Sequence, residues 1–361
     1  MATDQQPSPK VPGDRLREQQ TALAEVLVNR QFAARPDLAQ RYGPAGREKC
    51  LQDANYHLSY LANAMKAGDP NLFANYVAWV KVMLGKRGIP VEDLARHLEL
   101  TRAVVAEAVE GEEGTLAVEY LGAALARLPL LPNDVTSHLV NGTPRVDLAR
   151  DYLAALLNGE RHAASRMVLD AVASGVPVKD VYLHVFQPAQ YEIGRLWQTN
   201  EISVAQEHYG TAATQLIMSQ LYPHVFATEK GAGTLVATCI AGDLHEIGLR
   251  MVSDFFEIEG WNTFYLGANM PAQAVVDTVV QRRAQLLAIS VTMLFHLPAA
   301  DELIRKVRAA PACRDVKILV GGGPFLTAPD LWRTIGADGC APNAQDATIL
   351  AAQLIAGAPR A

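Results

Sequence analysis

The sequence predicts two helical regions followed by a parallel α/β sheet with helices on both faces. Three observations carry that reading. Apolar residues recur at helical spacing through the first two thirds of the chain; Leu51, Ala54, Leu58, Leu61 and Met65, for instance, share one helical face. From Gly231 onward short apolar runs alternate with helical stretches, the signature of a parallel sheet. The 361 residues are 50% hydrophobic and 19% charged, ample for packed cores and incompatible with wholesale disorder.

Taken in order, residues 1–14 are polar and proline-bearing and are expected to be disordered. Residues 15–128 read as an all-helical unit, a globin-like array or a bundle. Within it Asp69-Pro70 is an N-cap followed by proline at the first helical position, opening a helix that carries Leu72, Tyr76, Trp79, Val80 and Met83. The stretch 85–90 ends that helix, and 91–109 forms the next. Two prolines and several turn formers place a linker at 129–144. Residues 145–228 read as a four-helix unit, with a first helix through Leu153 and Leu157 and others at 163–173, 178–198 and 203–221. In residues 229–361 strands are expected at 234–240, 263–266, 286–292, 316–320 and near Gly339. Helices fall between them at 246–258, 272–283, 299–308 and 329–335, with a last one at 344–355. Five such alternations predict a flavodoxin-like, Rossmann-type sheet.

Composition excludes several classes. The net charge of −6 argues against a nucleic-acid binder driven by bulk charge. No apolar run approaches the ~20 residues of a membrane span, and the start lacks the apolar core of a secretory signal. Cys50, Cys239, Cys313 and Cys340 lie far apart with no Cys-x-x-Cys pair, as expected of reduced thiols in a cytoplasmic protein.

In a parallel sheet, ligands bind in the loops at the carboxyl ends of the strands. The loop after the first strand holds Gly242, Asp243, Leu244, His245, Ile247 and Gly248. A metal-bound histidine commonly gives its second ring N–H to a carboxylate, and Asp243 and His245 supply that pair. The alternative is that Asp243 caps the next helix and His245 is an ordinary loop residue. Spacing favours the ligand. Forty-one residues separate Gly248 from Ser290, and twenty-eight separate Thr292 from Gly321 and Gly322, placing all three sites at strand ends.

This pattern, Asp-x-His-x-x-Gly, then Ser-x-Thr, then Gly-Gly, resembles the cobalamin-binding domain family. The resemblance implies cobalamin bound with its own base displaced and His245 as the lower cobalt ligand, oriented by Asp243. It also implies that Ser290 and Thr292 contact the displaced nucleotide tail, while Gly321 and Gly322 leave room for it. The helical unit ahead would then cap the corrin. Its Trp197, nine residues, and Glu207-His208 resemble the cap of the cobalamin-dependent photoreceptors, the light-sensing repressors of carotenoid genes. That likeness implies adenosylcobalamin, with Trp197 shielding the adenosyl group and Glu207 and His208 meeting it; the plain alternative is bundle core and a solvated helix face. Gln198 stands where those repressors carry a histidine that can take the upper cobalt position, and His162 and His184 lie in the same cap. No DNA-binding winged helix precedes the cap, so no nucleic-acid partner is expected.

The N-terminal helical unit resembles, without a sharp motif, the photocobilins, in which biliverdin is a second chromophore beside cobalamin. Arg47, Tyr56, His57, Tyr76 and Trp79 would line such a pigment pocket, and Cys50 is either an attachment point or a core thiol; a dimerising bundle is the plain alternative. The expectation is therefore a cytoplasmic, non-enzymatic light sensor with no catalytic residues. It would signal through light-dependent self-association or a separate effector. The alternative is a corrinoid protein carrying methyl groups for a methyltransferase system.

Overall fold

The computed structural model describes residues 11–226 and 228–356, so residues 1–10 of the expected disordered start lie outside the described residues, while Asp14 already opens a short helix. The chain divides into two compact units, Met1–Asn133 and Asp134–Ala361.

The first unit is all-helical, as its periodicity predicts. Its main helices are α1 (Gln20–Ala34), α2 (Gly46–Ala67), α3 (Pro70–Gly85), α4 (Val91–Ala108) and α5 (Glu112–Arg127). Asp69 caps α3 by accepting the Asn71 N–H at 2.9 Å. Ala54, Leu58, Leu61 and Met65 of α2 are buried as one face, against a core that includes Leu27, Phe73 and Leu98.

The second unit opens with a helical array: α6 (Val146–Leu157), α7 (Arg161–Ala173), α8 (Gln187–Gln198) and α9 (Val204–Gln220). Ahead of α8, Val178–Val181 and a widened turn, Tyr182–Phe186, continue the same helical stretch. Pro188 explains the widening: its ring cannot sit against the carbonyl four residues back, nor donate to it. Ser203 and Gln206 form a reciprocal capping box that fixes the start of α9.

Five parallel strands follow: β1 (Gly233–Cys239), β2 (Trp261–Tyr265), β3 (Leu286–Ser290), β4 (Lys317–Gly321) and β5 (Gly339–Cys340). They are ordered β2-β1-β3-β4-β5, the flavodoxin-like arrangement expected. The covering helices are α10 (Ile247–Ile258), α11 (Ala272–Arg282), α12 (Leu297–Ala309) and α13 (Ala344–Ile355). One expected helix differs. Instead of 329–335, two short helices, Gly323–Thr327 and Leu331–Thr334, are separated where Pro329 interrupts the turn.

The helical array and the sheet share a core. Tyr152, Tyr182, Phe186, Ile217 and Met218 pack in one cluster with Ile247, Met251 and Phe255 of α10. Polar bonds reinforce this seam. The Tyr182 hydroxyl donates to Asp254 at 2.8 Å, Arg250 reaches the Gln215 carbonyl, Ser219 and Tyr222, and Lys179 pairs with Glu259. No helix among the described residues is long and apolar enough to cross a membrane.

Candidate functional site

Strand register explains the spacing of the motif. Cys239 pairs with Ser290, and Ser290 with Gly321, so the ends of β1, β3 and β4 stand side by side at one edge of the sheet. The loops leaving that edge bring Asp243, His245, Thr292 and Gly322 together.

Asp243 is fully buried at the centre of this edge. Its Oδ1 accepts the His245 Nδ1–H at 2.8 Å and the His245 backbone N–H at 3.1 Å, while Oδ2 accepts the Thr292 N–H at 2.7 Å. Burial alone would raise its pKa, yet the hydrogen bonds from His245 and the Thr292 backbone, with the His296 ring close by, hold it well below the usual carboxylate range. The His245 ring is 60% exposed and is pinned at one nitrogen only. The bond to Asp243 raises the pKa of His245 against the opposing effect of burial, and the charges of Asp243 and Glu207 add to the rise. Glu207 of the helical array therefore lies within electrostatic reach of His245.

Backbone shape keeps this loop in place. Gly242 takes φ +85°, donates its N–H to the Asn269 side chain at 2.8 Å, and lies so near His296 that a Cβ would make a tight 3.2 Å contact with its ring. Gly322 at φ +108° packs against the β3 loop so closely that a Cβ would fall 2.0 Å from the Val291 carbonyl oxygen. The approach of two backbones by itself therefore demands a glycine here. Gly248 and Gly321 differ, since a Cβ would meet nothing within 4 Å at Gly248 and only the Ala341 oxygen at 3.4 Å at Gly321.

The other expected residues spread around this edge. Leu244 is 70% exposed beside His245, Ile247 is buried in the shared core, and Ser290 ends β3, partly buried. Trp197 is half-buried at the end of α8, and Gln198 next to it is buried. Glu207 accepts from Thr211 at 3.2 Å, and His208 is a 74% exposed side chain 3.6 Å from the Glu207 carboxylate. Sequence reasoning missed Asn269 and His296, which brace the loop, and Glu246, which accepts from both Gln215 of α9 and Tyr265 of β2. A second histidine six residues after Ser290 was the available signal for His296.

The pigment pocket expected in the first unit does not assemble as drawn. His57 and Tyr76 are buried and joined by a 2.7 Å hydrogen bond, but Tyr56 is exposed and Arg47 pairs with Asn29 on the surface. Trp79 and Cys50 are partly buried. A groove of about 370 Å³ lies elsewhere in this unit, lined by Gln31, Arg35, Leu38, Asp93, Arg96 and His97.

The family model "B12 binding domain" matches residues 233–350, and a second model of that description matches 148–222. The chain carries B12-binding domains. Residues 14–128 match the model "Phycobilisome protein". The monomethylamine corrinoid protein 1 of Methanosarcina mazei is 25% identical over 208 residues, 56% of this chain and 94% of that protein. The dimethylamine corrinoid protein 1 of the same organism is 31% identical over 129 residues, 36% of this chain and 58% of that protein. The solved monomethylamine corrinoid protein of Methanosarcina barkeri superposes with a TM-score of 0.53 at 24% identity, over 58% of this chain and 99% of that one. That last likeness establishes the fold.

These relatives overturn the expectation of a light sensor, because they are corrinoid proteins of methylamine systems rather than photoreceptors. Trp197, Glu207 and His208 sit on one helical hairpin, with Glu207 partly buried and His208 exposed, and that arrangement alone does not specify light sensing. A cap over a sheet serves either role.

The residues at the sheet edge fit a corrinoid. An exposed imidazole is fixed at Nδ1 by a buried, ionised carboxylate, which is the donor set a cobalt ligand requires. Gly248 and Gly321 add open backbone on either side of it.

Proposed function

We propose that this chain is a corrinoid carrier that receives methyl groups from one methyltransferase and delivers them to another. The observation that carries the reading is the pinned, outward-facing His245 beneath a helical cap, joined to relatives named as methylamine corrinoid proteins. The bound corrinoid supplies a cobalt centre that takes up and gives up a methyl group. The chain's own residues orient that centre. Asp243 accepts the Nδ1–H of His245 and so leaves the lone pair at Nε2 for the metal. Thr292 and the His245 backbone hold the carboxylate in its plane. Glu246 ties the ligand loop to α9 of the cap through Gln215, so cap position and loop position are linked.

On this reading the protein has no catalytic residue of its own, and separate methyltransferases are its partners. Four cysteines with no disulfide among them suit a cytoplasmic carrier. The test is methyl loading. Protein reconstituted with hydroxocobalamin and reduced with titanium(III) citrate is given methylamines or methanol with a lysate of the source cells. A methyl–cobalt absorption spectrum on the repurified protein is expected. Corrinoid-loaded protein that gains no methyl group from any of these donors contradicts the carrier reading.

A second proposal concerns the first unit, where the phycobilisome match favours a linear tetrapyrrole such as biliverdin. The groove beside His97 supports it: the His97 Nε2 is buried without a partner, and Arg35 and Arg96, paired with Asp37 and Asp93, would exchange those partners for propionates. Added biliverdin is expected to give a red-shifted band on the protein. An unshifted spectrum returns this unit to a structural bundle.

A further inference from the structure

We propose that His296 is a positioning residue for the axial histidine, holding Asp243 from the side opposite His245; this rests on the cobalamin reading above. The His296 Nδ1 lies 3.8 Å from Asp243 Oδ2, at ion-pair distance from a fully buried carboxylate. That nitrogen is itself buried and has no hydrogen-bond partner. The ring is seated in the 3-10 turn Leu294–His296 at the head of α12 and packs edge-on against Phe295 with centroids 4.2 Å apart. Its other edge shapes the ligand loop, since a Cβ at Gly242 would lie 3.2 Å from His296 Nε2.

The physical argument concerns the two carboxylate oxygens. Oδ1 is committed to His245, and Oδ2 to a single backbone amide. A buried carboxylate is stabilised by every donor facing it, and its plane determines the direction in which it presents Oδ1 to the imidazole. A small closing of the 3.8 Å gap lets a His296 N–H reach Oδ2 and support that plane from a second element. Its position is set by the β3–α12 connection, independently of the loop that carries Asp243 and His245. The glycine before Asp243 has a matching second reason: it clears space for this ring.

The test compares wild type, His296→Leu and His296→Asn, all loaded with hydroxocobalamin and reduced to cobalt(II). Leucine fills the space without a donor, whereas asparagine places an amide N–H near the position of Nδ1. The readout is the doublet superhyperfine splitting of protein labelled with nitrogen-15 histidine in the electron paramagnetic resonance spectrum, which reports the ratio of histidine-on to histidine-off forms. His296→Leu is expected to lower that ratio about tenfold, the lower end of the usual effect of losing an outer partner of a metal ligand. His296→Asn is expected to restore it, with melting temperatures of the unloaded proteins nearly unchanged. An unchanged ratio in His296→Leu overturns the proposal, and so does an equal loss in both variants, which would make the role one of packing alone. If His296→Leu does not fold, His296→Phe takes its place in the same comparison. Wild-type protein that binds no cobalamin would refute the cobalamin reading itself, whereas bound cobalamin without the nitrogen-15 doublets would refute His245 as its ligand, and the proposal with it.

Discussion

Replacing Asp243 is the sharpest perturbation of the ligand loop. Asp243→Ala removes three hydrogen bonds at once: 2.8 Å to His245 Nδ1, 3.1 Å to the His245 N–H and 2.7 Å to the Thr292 N–H. Bonds to a charged group contribute about 1.5–3 kcal/mol each, and an orphaned buried N–H costs about 1–3 kcal/mol. The exposed half of the His245 contact recovers part of this from water, so a net loss of about 3 kcal/mol of folding stability is expected. Cobalamin affinity should fall about 10- to 100-fold, because the imidazole loses its orienting partner. Asp243→Asn separates the two effects. It keeps one carbonyl oxygen and the shape but not the charge, so it should fold more stably than the alanine variant while still losing histidine ligation. Urea unfolding of the apoprotein measures the first effect, and titration with hydroxocobalamin followed by visible absorption measures the second. Wild-type affinity and a histidine-ligated spectrum in Asp243→Asn would refute the reasoning.

Three further predictions concern other parts of the chain. Burial pushes the pKa of His97 down from 6.5 to about 4, and that of His57 well below its usual value. Both are neutral in the fold, so the unfolded chain binds the extra protons below about pH 6.5, and stability falls as pH drops toward 4. His97 alone accounts for about 3 kcal/mol of that loss, and His97→Gln should flatten the slope measured by urea unfolding between pH 7 and 4. Gly322→Ala should cost at least about 3 kcal/mol, since its Cβ would sit 2.0 Å from the Val291 oxygen at φ +108°. Gly248→Ala meets nothing within 4 Å, so the apoprotein should melt as wild type does while cobalamin affinity declines; equal melting temperatures for the two glycine variants would contradict this account. Tyr182→Phe leaves Asp254 buried at the cap seam without its hydroxyl donor and should cost about 2 kcal/mol. Asp254, which burial lifts to about 6, can protonate to limit that loss, so the variant should recover stability as pH falls toward 5 in thermal melts.

The sheet was legible because each strand is a short apolar run bounded by turn formers, and observed strand ends fall within two or three residues of those expected. Asp243, His245 and Thr292 were legible as a group because parallel register carries their spacing directly into space. His296 was not, because its approach to Asp243 is made by two loops meeting across β1 and β3, and no local pattern encodes that meeting. Gly322 was noticed for the room it leaves a ligand, and the structure adds a reason no pattern shows, a positive φ and a close backbone. In the first unit, aromatic and basic residues were counted without knowing which helix face they occupy, and Arg47 and Tyr56 fall on exposed positions. The light-sensing reading failed for a related reason: a three-residue pattern on a helical hairpin has too little geometry to specify what lies above a corrin.

The central claim is that the His245 imidazole is the lower ligand of cobalt. Protein grown with nitrogen-15 histidine, loaded with hydroxocobalamin and reduced to cobalt(II), tests it by electron paramagnetic resonance. The superhyperfine pattern should change from triplets to doublets on labelling and should be absent in His245→Ala. Triplets that persist in the labelled protein would show that the cofactor's own base remains bound, and would contradict the account.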